Sequence, residues 1–444
     1  MAGLVIHGGR VISPEDGLDG ELDVWVEDGI IRAVAREPSV SGGERLDAAG
    51  QIVCPGLMDI HVHLREPGGE ESETIATGLA AAVAGGFTSI CAMPNTRPVN
   101  DCPELTHYMI AKAQTLGLAR LFPIAAVSLA SQGETLTDFA SLIQAGAVAF
   151  SDDGRPVKTA GLMQRALEQS RTLNAPIIDH CEDLSVSAGG VVNAGEAALK
   201  LGVKGIPKAA EDVCVARDLV LAAATDAHVH IAHVSTAGAV EMIRVAKRHG
   251  VHVTCEAMPH HFTLTEEEVV RQGANAKMNP PLRSARDREA LLAGLADGTI
   301  DVIATDHAPH AAALKSRRLE EAPFGVIGLE TALGLAITQL VEPGCITLQR
   351  LVELLGIRPA RIIGKPPGRL RPGETADITV FDPRAEWVYR ASEGRSKSQN
   401  SPFDGWTLRG AATATIVGGK VVYRRLPGLT AGMPALQRGQ SLGS

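Results

Sequence analysis

The chain has 444 residues, 45% of them hydrophobic and 21% charged, with a net charge of -9. That balance describes a soluble globular protein, and its interspersed charges offer no basic surface to nucleic acid or an anionic membrane. No apolar run is long enough to span a bilayer and the first residues lack a signal-peptide layout, while seven scattered cysteines without a Cys-x-x-Cys read as reduced, mostly buried thiols of a cytoplasmic protein.

Taken in chain order, the first fifty residues predict short strands at Leu4–Ile6, Arg10–Ile12, Leu22–Val26 and Ile30–Val34, broken by Gly8-Gly9, Asp28-Gly29 and Gly42-Gly43. The texture then changes. Short apolar runs suited to buried parallel strands recur at Leu57–His61, Phe87–Ala92, Leu121–Val127, Ala147–Phe150, Pro176–Asp179, Val229–Ala232, Val251–Cys255 and Asp301–Ala304. Helical stretches separate most of them. Phe139, Leu142 and Ile143 share a helix face stopped by Gly146, and Val240–His249 and Asp287–Asp297 are stopped by Gly250 and Gly298. Eight strands alternating with helices predict a (β/α)8 TIM barrel of the α/β class. Strand texture returns at Ala376–Phe381, Thr413–Val417 and Lys420–Tyr423. Residues 1–53 and 367–425 are therefore expected to form one small β-sandwich beside a barrel at 54–366, with 426–444 as a loose tail.

A TIM barrel carries its active site at the C-terminal ends of its strands, so what ends each run is informative. The first ends in His61-Val62-His63-Leu64-Arg65, the second in Met93-Pro94-Asn95 and the fourth in Ser151-Asp152-Asp153-Gly154. The fifth ends in His180, the sixth in His233 and the eighth in Asp306-His307. Imidazole and carboxylate are the ligands zinc prefers. His61 and His63, as alternate residues of one strand, face the same way and can reach one metal. Asp306 follows an apolar run, where a carboxylate is costly to bury without a cation or hydrogen bonds. Asp152 and Asp153 compete for one role, and spacing does not choose between them.

The pair His228-Val229-His230 repeats the same spacing but enters its strand, which predicts a structural place at the opposite rim. His7, His107, His249 and His252 read as surface or packing residues. His260 and His261 end the seventh run, leaving a pocket role open.

Several segments resemble the long bacterial type of dihydroorotase. They are Asp59-Ile-His-Val-His-Leu-Arg-Glu-Pro-Gly68, Met93-Pro-Asn-Thr-Arg-Pro98, Ser151-Asp-Asp-Gly154, His180-Cys-Glu-Asp183, His233-Val-Ser-Thr236, Lys277-Met-Asn-Pro-Pro-Leu-Arg283, Ala304-Thr-Asp-His-Ala-Pro-His310 and Pro323-Phe-Gly325. Ala376-Asp-Ile-Thr-Val-Phe-Asp382 is similar to the closing β segment of amidohydrolases. The resemblance implies a zinc-dependent cyclic amide hydrolase that closes N-carbamoyl-L-aspartate to (S)-dihydroorotate in pyrimidine synthesis. It implies two Zn2+ per subunit: His61, His63 and Asp306 on one, His180 and His233 on the other, and Asp153 bridging. Asp306 would also carry the proton. His63, Arg65, Asn95, Asn279, His310 and the backbone at Phe324 and Gly325 would hold substrate. A homodimer or an assembly with aspartate carbamoyltransferase is implied in the same way.

Hydantoinases and related amidases resemble one another in bridging their metals through a carboxylated lysine after the fourth strand. Here the fourth run ends Ala149-Phe150-Ser151-Asp152-Asp153 and the next lysine is Lys158, which disfavours the hydantoinase alternative; allantoinase is the other cyclic amidase alternative. The other alternative is a non-catalytic relative that lacks metal ligands and serves as a partner of aspartate carbamoyltransferase, and every expected ligand is present against it. Ala311–Leu319 is expected to be an active-site loop without a pattern of its own.

Overall fold

A computed structural model of the chain describes residues 3–38 and 43–425; the expected tail at 426–444 lies outside them. Eight parallel runs close a barrel. Leu57–Val62, Phe87–Ala92 and Arg120–Pro123 pair in one arc, and Ile177–Asp179, Val229–Ile231, Val253–Ala257 and Val302–Ile303 in another. Phe150 bridges to both Ala125 and Ile177, so the fourth run joins the arcs through one residue. Val62 bridges to His307 and closes the ring.

The capping chemistry between runs follows from the sequence. Thr74 and Thr77 form a capping box on the Ile75–Ala84 helix, Thr159 caps Ala160–Thr172 and Thr236 caps Ala237–Arg248. Gly146 and Gly298 end Phe139–Ala145 and Ala285–Asp297 in the left-handed conformation, where a residue without Cβ is unstrained. One buried apolar cluster draws on all eight runs, through Met58, Cys91, Ile124, Val148, Ile178, Ala232, Met258 and Val302, and includes Ala360 and Ile362 of the Arg358–Ile362 helix and Ile363 just after it. A packed barrel interior gives such a cluster.

The remaining strands form one sheet from residues distant in sequence. Its hydrogen-bonded order is Lys420–Arg424, Thr407–Val417, Ile378–Val388, Ile52–Pro55, Leu4–Ser13, Leu18–Glu27 and Ile30–Ala35, with Glu44–Asp47 pairing parallel to Leu4–Ser13. Val26 and Ile31 share an apolar core with Ala414 and Ile416, so the two ends of this path pack together as the expected sandwich.

Three details differ from the sequence-based expectation. Leu4–Ser13 is a single strand, and Gly8-Gly9 makes a bulge instead of a turn, with Gly8 at φ +70. The strand Ile52–Pro55 continues past residue 53 into the expected barrel segment. The seventh barrel strand is Val253–Ala257 instead of Val251–Cys255, because it takes the carboxylate of Glu256 into the interior.

Candidate metal centre

The six expected ligands converge at the C-terminal mouth of the barrel, all of them buried. His61 Nε2 lies 3.5 Å from Asp153 Oδ1 and 3.6 Å from Asp306 Oδ1. His63 Nε2 lies 3.0 Å from Asp306 Oδ1 and 3.3 Å from Asp153 Oδ2. His233 Nε2 and His180 Nδ1 stand 3.4 and 3.6 Å from Asp153 Oδ1, and 2.8 Å from each other. Asp153 thus stands between two pairs of imidazoles. Its neighbour Asp152 turns away and accepts from the Ser128 backbone N–H at 3.0 Å and hydroxyl at 2.5 Å, so of the two only Asp153 faces the imidazoles.

The backbone is bent to bring these groups together. Arg65, His233 and Asp306 have φ of +61, +32 and +47, a region that costs a residue with a Cβ about 1–3 kcal/mol. Electrostatics then set the ionisation. Burial disfavours the Asp306 charge, but the His63 and His61 imidazoles outweigh it and hold its pKa well below the ordinary range. Burial likewise works against charge on His180, yet the Asp153 and Glu182 carboxylates raise its pKa to about 10.

The donor set fits a divalent cation. His61 Nε2 and Asp153 Oδ1 are buried without any hydrogen-bond partner, although such atoms are costly to leave unpaired. His61, His63 and Asp306, and again His61, Asp153 and His233, bring one donor atom each within 4.8 Å of one another. Two ligands at about 2.0–2.2 Å from a tetrahedral zinc stand roughly 3.3–3.6 Å apart, the spacing seen across the centre.

A cavity of about 310 Å³ opens above these groups, lined also by Arg65, Asn95, Asn279, His310, Phe324 and Gly325, so all the expected substrate positions meet there. His63 donates Nδ1–H to Asn95 Oδ1 at 2.9 Å, and Arg65 donates Nε–H to the Pro309 carbonyl at 3.1 Å. Burial pushes the Arg65 guanidinium down to about 10, which leaves it cationic at neutral pH. His310 donates Nε2–H to the Phe324 carbonyl at 2.7 Å. Gly325 has φ +128, and a Cβ there would stand 2.6 Å from that of Ala308, so only glycine fits. The 311–319 segment holds a short helix, Ala312–Lys315, and Lys277 Nζ donates to the Leu319 and Ala322 carbonyls at 2.6 Å.

Three carboxylates behind the centre escape sequence reasoning. Glu182 accepts from His180 Nε2–H at 3.2 Å and from Asn279 at 2.9 Å; Glu73 accepts from His307 Nε2–H at 3.2 Å; Glu256 accepts from His61 Nδ1–H at 2.6 Å. The signal for Glu256 was present, as a carboxylate between Cys255 and Ala257. His230 also needs correction: it does not sit at the far rim but is fully buried inside the barrel, 3.2 Å from Glu256 Oε2. His228 keeps the expected place, stacked on the exposed His252 at 4.3 Å. His261 donates Nε2–H to the Pro280 carbonyl at 2.9 Å, and buried His260 Nε2 has no hydrogen-bond partner.

Comparison with known proteins agrees with this geometry. The model of the Dihydro-orotase-like family matches residues 50–239. Over 423 residues the chain is 53% identical to Dihydroorotase of Pelobacter propionicus, covering 95% of this chain and 100% of the relative. It is 52% identical to Dihydroorotase of Geobacter metallireducens with the same coverage. Among solved structures it resembles L-hydantoinase (dihydropyrimidinase) from Arthrobacter aurescens, with TM-score 0.86, 27% identity and 96% of each chain covered. Dihydropyrimidinase from Brevibacillus agri shares the fold at TM-score 0.81 and 23% identity, over 95% of each chain. With half its residues shared along nearly the full length of these relatives, the chain belongs to the dihydroorotase family of cyclic amide hydrolases.

Proposed function

We propose that the chain catalyses the reversible closure of N-carbamoyl-L-aspartate to (S)-dihydroorotate with loss of water, the ring-forming step of pyrimidine synthesis. The observation that carries this reading is Asp153: one carboxylate stands 3.3–3.6 Å from four imidazoles, at the place where hydantoinase-like enzymes are expected to use a modified lysine. Lys158, the next lysine in the chain, is exposed and points to Glu134 at 3.9 Å. His61, His63 and Asp306 would hold one zinc ion and His180 and His233 a second, with Asp153 shared. A divalent cation held there would bring the pKa of water down to about 7 and polarise a carbonyl oxygen.

The chain's own groups do the rest. Asp306 is unprotonated at neutral pH, so it can take a proton from the attacking water in ring opening and return it to the leaving ring nitrogen. Arg65 offers a planar fork to the substrate carboxylate, as a guanidinium does best. Asn95, Asn279 and His310, with the backbone of Phe324 and Gly325, fix the ring in the cavity. His63 is held by Asn95 and Asp306, which orients it toward both cation and substrate. We read 56–366 as the catalytic barrel and 1–55 with 367–425 as its sandwich, the boundary at 53 moving because Cys54 and Pro55 pair in the sandwich sheet. Seven free thiols fit a reducing cytoplasm. No helix among the described residues is long and apolar enough to cross a membrane. A homodimer or an aspartate carbamoyltransferase assembly is the expected setting.

Purified chain carrying zinc should open dihydroorotate and leave hydantoin and allantoin untouched. Asp306→Asn should fold, and its turnover should fall by about 10²–10⁴-fold. Near-normal turnover in that variant would remove Asp306 from its role.

A further inference from the structure

Glu256 lies on the seventh strand, fully buried in the barrel beneath the ligands. Its Oε1 accepts from His61 Nδ1–H at 2.6 Å and lies 3.3 Å from the backbone N–H of His233. One carboxylate oxygen therefore touches a residue from each half of the centre. The other oxygen, Oε2, faces His230 Nε2 at 3.2 Å; the pair is out of line for a good hydrogen bond, and neither atom has another such partner. His230 Nδ1 lies 2.8 Å from Thr254 Oγ1, which is also 2.8 Å from His228 Nε2. One direction of donors satisfies the line: His228 Nε2–H to Thr254, Thr254 O–H to His230 Nδ1, and His230 Nε2–H toward Glu256.

We infer that Glu256, steadied by His230, is a positioning residue that fixes the tautomer and rotation of His61 so that Nε2 alone faces the cation. The inference rests on the reading of His61 as a cation ligand. A neutral imidazole offers one lone pair, and the hydrogen bond made by its other nitrogen decides which atom carries it. A histidine ligand backed by a carboxylate is also more basic, and losing such a partner typically weakens metal affinity about 10–100-fold. His61 has no rival for this contact: its Nε2 is unpartnered and its Nδ1 is taken by Glu256. His230 enters the arrangement from the Val229–Ile231 strand, which leads to His233 at the mouth.

The test uses the full-length chain stripped of metal, with Zn2+ as the probe and a chromophoric chelator as competitor. Glu256→Ala should weaken zinc affinity about 10–100-fold. Glu256→Gln keeps an acceptor oxygen for His61 Nδ1–H and should lose less; His230→Leu should lose several-fold at most. The melting temperature of each metal-free variant separates this effect from general destabilisation, since a merely structural role moves melting without moving affinity. Zinc affinity unchanged in a folded Glu256→Ala chain would overturn the inference. Should that variant not fold, the ¹⁵N histidine spectrum of the zinc-loaded wild-type chain decides: His61 must carry its proton on Nδ1, and a proton on Nε2 overturns the inference. Zinc affinity untouched by His61→Ala would instead bring down the ligand reading beneath it.

Discussion

Lys315 donates its ammonium to the carbonyl of Gly325 at 2.9 Å. The same nitrogen reaches the carbonyls of Pro323 at 3.0 Å and Lys277 at 3.3 Å, and Gly325 N–H returns to the Lys277 carbonyl at 2.9 Å. A buried cation thereby ties the segment carrying Phe324 and Gly325 to the loop after Gly273–Ala276, which carries Lys277 and Asn279. Burial and the nearby Lys277 charge push the Lys315 pKa from 10.5 to about 7. The unfolded chain thus binds more protons than the folded one between about pH 7 and 10.5, and stability rises with pH across that interval. Urea unfolding of wild type and Lys315→Met should show a gap that shifts in favour of wild type from pH 7 to pH 9.5, at about 1.4 kcal/mol per pKa unit at most. A gap independent of pH would show that the ammonium is not strained by its burial. The variant should also raise KM, because the loop lining the cavity loses its anchor.

Arg65→Lys keeps the charge and loses the fork. With Nε fastened to Pro309, the guanidinium is set in one plane, which a lysine ammonium cannot reproduce. KM for dihydroorotate should rise about tenfold or more, given about 1.5–3 kcal/mol for a charge-assisted hydrogen bond. An unchanged KM would move carboxylate recognition elsewhere in the cavity.

Removing metal with a chelator should abolish turnover while far-ultraviolet circular dichroism persists, because Asp153 and Asp306 keep histidine partners without a cation. In the cation-free chain His180 holds its proton up to about pH 10, raised by its carboxylate neighbours. Cation uptake at pH 7.5 must expel that proton, so zinc should bind more tightly as pH rises. Indicator-dye titration in weak buffer should register at least one proton released per chain; none released would refute the charge state assigned to His180.

Arg217→Met tests a different cluster. Asp179, Cys181, Cys214 and Asp218 are grouped as metal ligands often are, yet their cation is already a guanidinium. Arg217 stands 2.9 Å from Asp179 and 2.7 Å from Asp218, and donates to the Val157 carbonyl at 2.7 Å. Burial holds the Cys181 thiol well above its ordinary pKa, so it stays protonated. Burial and the neighbouring Asp179 push the Asp218 pKa well up, so removing the cation strands one buried charge shared by the pair and should cost about 3–5 kcal/mol in urea unfolding. A loss under 1 kcal/mol would mean that water or the thiols satisfy them.

What the residues alone disclose depends on whether the physics is local. Apolar periodicity located all eight barrel runs, and the polar residues that end them named the mouth, because strand direction and alternation are local rules. Asp152 and Asp153 were indistinguishable, since adjacent residues diverge by an angle that only the tertiary structure sets. Glu256 was missed for a related reason. In the sequence a carboxylate ends an apolar run, whereas the fold buries it against His61 and His230 and carries the strand on to Ala257. His230 was placed at a rim because it opens its run, but the ladder there spans only Val229–Ile231, so one residue inward is already mid-barrel.

The sheet beside the barrel has a bearing on how the molecule is made. Ile52–Pro55 pairs with residues 378–381, and these leave the ribosome more than three hundred residues later. At about 5–20 residues per second, the early strand waits roughly twenty seconds to a minute with one flank of N–H and C=O groups unmatched. The nascent amino-terminal segment is thus a natural client for a holding chaperone, and a late stall in translation would leave it open to pairing with a neighbour on the same polysome.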